Sequence, residues 1–121
     1  HNMETVRRIS PQVRSAAKYD VSLSVLRRIA ERGEVAKTGI MLGLGETEDE
    51  VLELMDDVLL AGVSVLTIGQ YLQPSRKNIP VSEYVTPERF EYYRQQAVNK
   101  GFKKVESAPL VRSSYHAEKH I

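Results

Sequence analysis

Lys37 to Glu50, KTGIMLGLGETEDE, constrains this chain more than any other stretch. Thr38 to Leu42 is a short, mostly apolar run of strand length. Gly43 and Gly45 follow it, and glycine alone takes positive φ cheaply and brings bare backbone close to a ligand. Thr47 is a good helix N-cap, with Glu50 three residues on to close a capping box. The unit is therefore strand, glycine turn, helix. In parallel α/β folds ligands lie at this place, where strand C-termini meet helix N-termini. GLGE is not GxGxxG, and no Gly-Lys-Ser/Thr follows, so a phosphate loop is a poor fit. Glu46 has two readings here, as part of a ligand turn or as a carboxylate complementing the helix dipole.

The same grammar runs through the rest of the chain. Leu23, Leu26, Ile29 and Ala30 recur at helical spacing after Asp20, an expected N-cap, and Gly33 falls where a closing glycine belongs. A helix from Glu48 to about Ala61 presents Val51, Leu54, Met55, Val58 and Leu59 on one face. Val63 to Gln70 is a second strand, rich in β-branched residues. The helix between the strands has the length of a parallel crossover, expected to be right-handed. Tyr71 to Val85 is too polar and punctuated for a regular element. Thr86 and Pro87 start a helix whose inner stripe is Phe90, Tyr93, Ala97 and Val98, and Phe102 to Glu106 is a third strand. Thr5 to Lys18, basic and broken by Pro11, is expected to be a solvated loop, and the tail from Ser107 shows no period.

This alternation predicts an α/β fold, with three parallel strands covered by helices. Three strands are few for such a sheet, so the chain is expected to be the parallel-sheet half of a partial (β/α) TIM-type barrel. It should form one unit over 1–121, with a tail at 107–121. Its first residue is histidine, which suggests a processed chain or a piece of a longer one. With 121 residues it can bury roughly 65% of its unfolded surface. Seventeen basic residues against sixteen acidic ones give a net charge of +1, which offers nucleic acid or an anionic membrane no special attraction. Cysteine is absent, so this chain supplies neither disulfides nor thiolate metal ligands, in keeping with a cytoplasmic setting.

Polar or glycine-bearing segments follow all three strand ends: GLGE at Gly43, GQYLQPSR at Gly69 and SAPLVRSSYH at Ser107. His1 to Glu4 is expected on the same rim, as the end of a strand that lies before this chain. Barrel chemistry occupies that rim. Ser113, Ser114 and His116 invite a serine–histidine reading, but there is no GxSxG and no third partner. By chemistry alone, an ordinary C-terminal loop is the favoured reading.

Four segments in order, HNMET, KTGIMLGLGET, LTIGQYLQPSR and RSSYHA, resemble the lipoyl synthases, radical S-adenosylmethionine enzymes. That resemblance implies two four-iron, four-sulfur clusters held by cysteines upstream of this region. One cleaves S-adenosylmethionine to a radical that abstracts hydrogen from an octanoyl chain on a lipoyl carrier protein or domain. The other is the sulfur source. By the same resemblance Ser114 would ligate the unique iron of the second cluster, with Arg112 and Ser113 supporting that segment. Asn2 and Glu4 would hydrogen-bond the ribose and amino-acid part of S-adenosylmethionine, and Arg14 would pair with its carboxylate. Gly43, Gly45 and Glu46, with Gln70, Tyr71 and Leu72, would shape the adenosine pocket, mostly through backbone. The cysteine-free piece alone is expected to be inactive and to self-associate through its open sheet. Two other readings remain: half of another barrel enzyme taking a phosphorylated ligand at GLGET, and a non-catalytic interaction module.

Overall fold

The computed structural model describes residues 1–13 and 19–111. Its elements run α1 (Ser10–Val13), α2 (Tyr19–Glu31), β1 (Lys37–Leu42), α3 (Glu48–Ala61), β2 (Val65–Gln70), α4 (Pro87–Lys100) and β3 (Lys104–Ser107). The strands form one parallel sheet in the order β1-β2-β3, with Ile40 opposite Ile68 and Ile68 opposite Ser107. Strand, helix, strand, helix, strand is the expected α/β alternation, and the open sheet is of the kind found in a partial barrel.

Local chemistry explains where the helices begin and end. Thr47 caps α3 with a complete capping box: its hydroxyl accepts from the Glu50 N–H, and Glu50 reaches back to the Thr47 N–H. Thr86 caps α4, with Pro87 at the first position. Gly62 and Gly101 close the two helices in left-handed conformations that satisfy their last carbonyls. The core gathers Leu26 of α2, Val51, Leu54, Met55 and Val58 of α3, Leu66 and Ile68 of β2, and Phe90, Tyr93 and Ala97 of α4.

Several expectations are corrected. Asp20 lies inside the first turn of α2, whose described part starts at Tyr19, and is not its cap. Val98 is 47% exposed, because three residues of α4 already fill its contact with the sheet. β2 begins two residues later than Val63, since Ser64 and Val65 first donate to the Ala36 carbonyl. β3 is shifted to Lys104–Ser107. The largest correction concerns the segment after Thr5. Thr5, Val6, Ile9 and Ser10 are buried, and Pro11 sits within the first turn of the short α1, where proline is tolerated. Val6, Ile9 and Val13 lie at helical spacing and pack on the core, so apolar burial holds this basic stretch down. Among the described residues, no helix is long and apolar enough to cross a membrane.

Candidate functional site

Leu42 ends β1 and the chain turns back at once, with φ of 97° at Gly43 and 105° at Gly45. The turn closes on its own carboxylate. Glu46 accepts from the N–H groups of Gly43 and Leu44, both at 2.9 Å. Convergent backbone N–H groups of this kind are what a phosphate would need. Here an internal anion already takes them. Glu46 is therefore a fastener of the turn, which is more specific than a complement to the helix dipole.

Arg8 straps the N-terminal segment onto the same turn. Its guanidinium donates to both carboxylate oxygens of Glu50, at 2.7 and 3.0 Å, and to the Gly45 carbonyl at 2.9 Å. Glu50 meanwhile accepts from the Thr47 N–H at 2.9 Å. The Arg8 hydrogen bonds, followed by the Thr47 backbone, hold the Glu50 carboxyl well below its ordinary value, at about 2. A depressed carboxyl stabilises the fold fully above its unfolded pKa of about 4.3, and the contribution fades as pH falls toward 2. Wild type should accordingly lose more stability than Glu50→Gln on going from about pH 5 to about pH 3. Urea unfolding at the two pH values checks this, and parallel losses would contradict it. Arg7, the neighbour, lies over the Tyr19 ring at 4.2 Å and pairs with Asp20 at 3.0 Å.

Gln70 ends β2 and clasps the long segment that follows. Its side-chain amide donates to the carbonyls of Tyr71 and Glu83, each at 2.9 Å, while its carbonyl accepts from the Val85 N–H at 2.9 Å. Ser82 and Glu83 in turn donate to the Gly43 carbonyl, at 2.8 and 3.3 Å. The segment 71–85 is thus folded onto the glycine turn. Both donors of the Gln70 side-chain amide are thereby consumed. Tyr71 is buried, donates from its backbone to Leu42 at 2.8 Å and from its hydroxyl to the Ile79 carbonyl at 2.6 Å. Burial pushes its hydroxyl pKa up. Leu72 is 42% exposed beside it.

The N-terminal segment joins the sheet as expected for a strand end. Glu4 forms a parallel bridge with Ile40, donating to the Gly39 carbonyl at 3.1 Å and accepting from the Met41 N–H at 2.9 Å. Met3 donates to the Thr38 hydroxyl at 2.9 Å, and His1 bonds Ser22 at 3.0 Å. Glu4 has φ of 73°, a left-handed conformation that costs a non-glycine residue about 1 kcal/mol or more. Asn2 is half-buried alongside. Next to Glu4, the Thr5 hydroxyl is buried and has no hydrogen-bond partner among the described residues.

Gly43, Gly45, Glu46, Gln70, Tyr71 and Leu72 are thus carried by segments at the C-terminal end of the sheet, whereas Glu4 lies opposite Ile40, partway along β1, and Asn2 lies further back, next to the Met3 that bonds Thr38. Arg14, Arg112, Ser113, Ser114 and His116 lie outside the described residues. Sequence reasoning missed Arg8, Thr5, Ser82 and Glu83. Arg8 and Glu50 are 42 positions apart, and nothing in the pattern couples them.

An open parallel α/β sheet with a fastened glycine turn at its C-terminal end gives the class: an α/β segment of the kind found in a partial barrel. No family model matches the chain. Over its whole length, however, it is 98% identical to the lipoyl synthase of Parabacteroides distasonis, 70% identical to that of Porphyromonas gingivalis and 67% identical to that of Bacteroides fragilis. Along its whole length the chain is thus similar to a portion of lipoyl synthases. It spans 43% of the length of the first two relatives and 42% of the third.

Proposed function

We propose that this chain is the C-terminal portion of a lipoyl synthase, forming the S-adenosylmethionine side of its barrel mouth. The whole enzyme would insert two sulfur atoms into an octanoyl chain held on a lipoyl carrier protein or domain, in the cytoplasm. The observation that carries this reading is the 98% identity across every residue of the chain. The geometry supports it by bringing 43–46 and 70–72 to one end of the sheet, with Glu4 two residues back from that end on the β1 edge.

The residues fit S-adenosylmethionine in one respect that is independent of likeness. A buried hydroxyl at Thr5 with no partner among the described residues leaves spare hydrogen-bonding capacity beside Glu4, where a polar ligand would be held. Asn2 and Glu4 would hold its ribose and amino-acid part, Arg14 its carboxylate, and the backbone of 43–46 and 70–72 would border the adenosine. When bound, the cofactor would supply a hydrogen-abstracting radical. The donor set for the two iron–sulfur clusters does not fit this chain alone. It has no cysteine, and among the described residues no group of three metal-ligating side chains is gathered. Cluster cysteines are therefore assigned to the rest of a longer protein, with Ser114 as this chain's contribution and Arg112 and Ser113 as its support. A second copy of the chain is the expected partner only when the rest of the sheet is missing, which light scattering on the isolated chain checks.

Titrating S-adenosylmethionine into the full-length protein tests the reading. Asn2→Ala and Glu4→Gln should each weaken binding about tenfold or more, the loss of a hydrogen bond to a polar ligand at ~1.4 kcal/mol per decade. Unchanged affinity in both would contradict the assignment. The rival reading, a phosphorylated ligand at GLGET, loses ground because Glu46 already occupies the amides of the turn.

A further inference from the structure

Along β2, Leu66, Ile68 and Gln70 alternate with Val65, Thr67 and Gly69, so the two sets lie on opposite faces. Ile68 is paired with Ser107, whose hydroxyl donates to the Phe90 carbonyl of α4 at 2.7 Å. That face is the helix-covered one. Gly69 lies on the other, where Lys104 and Glu106, the partners of Val65 and Thr67, are exposed. After β3 the chain runs on along the edge of β2 and then turns, so that Val111 comes over this face at Gly69. Ala108 donates to the Ile68 carbonyl at 3.1 Å, Gln70 donates to the Pro109 carbonyl at 3.2 Å, and Val111 donates to the Ala108 carbonyl at 3.1 Å. A Cβ at position 69 would collide with the Val111 carbonyl oxygen and lie 3.2 Å from its carbonyl carbon. Glycine in a strand commonly marks such a close backbone approach.

We propose that Gly69 is a positioning residue: its bare backbone lets the turn 108–111, held on the β2 edge, seat Val111 over this face of the sheet, and so fixes the point from which the residues carrying Ser114 depart. Its φ is outside the left-handed region, so alanine suits the backbone and the contact with Val111 is what a side chain disturbs. The functional consequence rests on the reading of Ser114 given above; the seat itself does not.

The test is amide hydrogen exchange on the full-length protein carrying Gly69→Ala, with Ser114→Ala beside it. Exchange at Gln70, Ala108 and Val111 should quicken about tenfold or more in Gly69→Ala, because opening this edge becomes easier. The amides of Gly43, Leu44 and α3 should keep their protection. Unchanged exchange at 70, 108 and 111 overturns the proposal, and so does an even loss spread over β1 and α3, which would mark a core-packing glycine. Lipoyl formation separates the two claims. Quickened exchange in Gly69→Ala with full lipoyl formation in Ser114→Ala leaves the seat standing and removes the Ser114 reading. Loss of product in Ser114→Ala with unchanged exchange in Gly69→Ala does the reverse.

Discussion

Gly43→Ala is expected to unfasten the mouth of the sheet, at a cost of about 3 kcal/mol or more. Two effects add at this residue. With φ of 97°, alanine would sit in a left-handed conformation that costs about 1–2 kcal/mol. Its Cβ would also collide with the Gln70 side-chain nitrogen and the Glu83 carbonyl oxygen. Gln70 cannot swing away freely, because its amide makes three hydrogen bonds to the backbone of 71–85. Relief means breaking some of them, each worth about 1 kcal/mol. Gly45→Ala is the control: φ is 105°, yet the nearest atom to an added Cβ is the Ser82 hydroxyl at 3.7 Å. Only the conformational cost applies there. Urea unfolding of both variants decides the matter, and equal losses would contradict the clasp.

Ser114→Ala in the full-length enzyme is expected to keep S-adenosylmethionine cleavage and to form little or no lipoyl product. A loop hydroxyl contributes about one ordinary hydrogen bond, so its removal would cost ~1 kcal/mol and spare the chemistry. As an iron ligand, the same oxygen would be a hard donor among soft thiolates, and its loss would alter one cluster while the other would keep its cysteines. Ser113→Ala should be milder, since only the second serine is assigned to iron. Deoxyadenosine and lipoyl product measured side by side in both variants separate the readings. Near-normal product from Ser114→Ala would remove the assignment.

The parts of this fold that could be read from sequence are those set by neighbours in the chain. Thr47 with Glu50, Thr86 with Pro87, and the glycines that close α3 and α4 act within a few residues, and each helix end falls where they put it. The parallel order followed from alternation, since a helix between two strands returns the chain in the same direction. What escaped was set by distant pairs. Arg8 looked like one more solvated cation because its carboxylate is 42 positions away. Gln70 was expected to act mostly through its backbone, and nothing near it in the chain showed that its side-chain amide is taken up by Glu83 and Val85 across the loop. Glu46 was read as part of a ligand turn or as a complement to the helix dipole, and its bonds to Gly43 and Leu44 escaped because they depend on two left-handed glycines that a sequence pattern only permits.

Mass spectrometry of an octanoylated carrier peptide, after incubation with the full-length protein, S-adenosylmethionine and a reductant, tests the central claim most directly. The account predicts a peptide carrying two added sulfur atoms, formed together with deoxyadenosine. A peptide that stays octanoylated while the same protein, with both clusters rebuilt, consumes S-adenosylmethionine would contradict it.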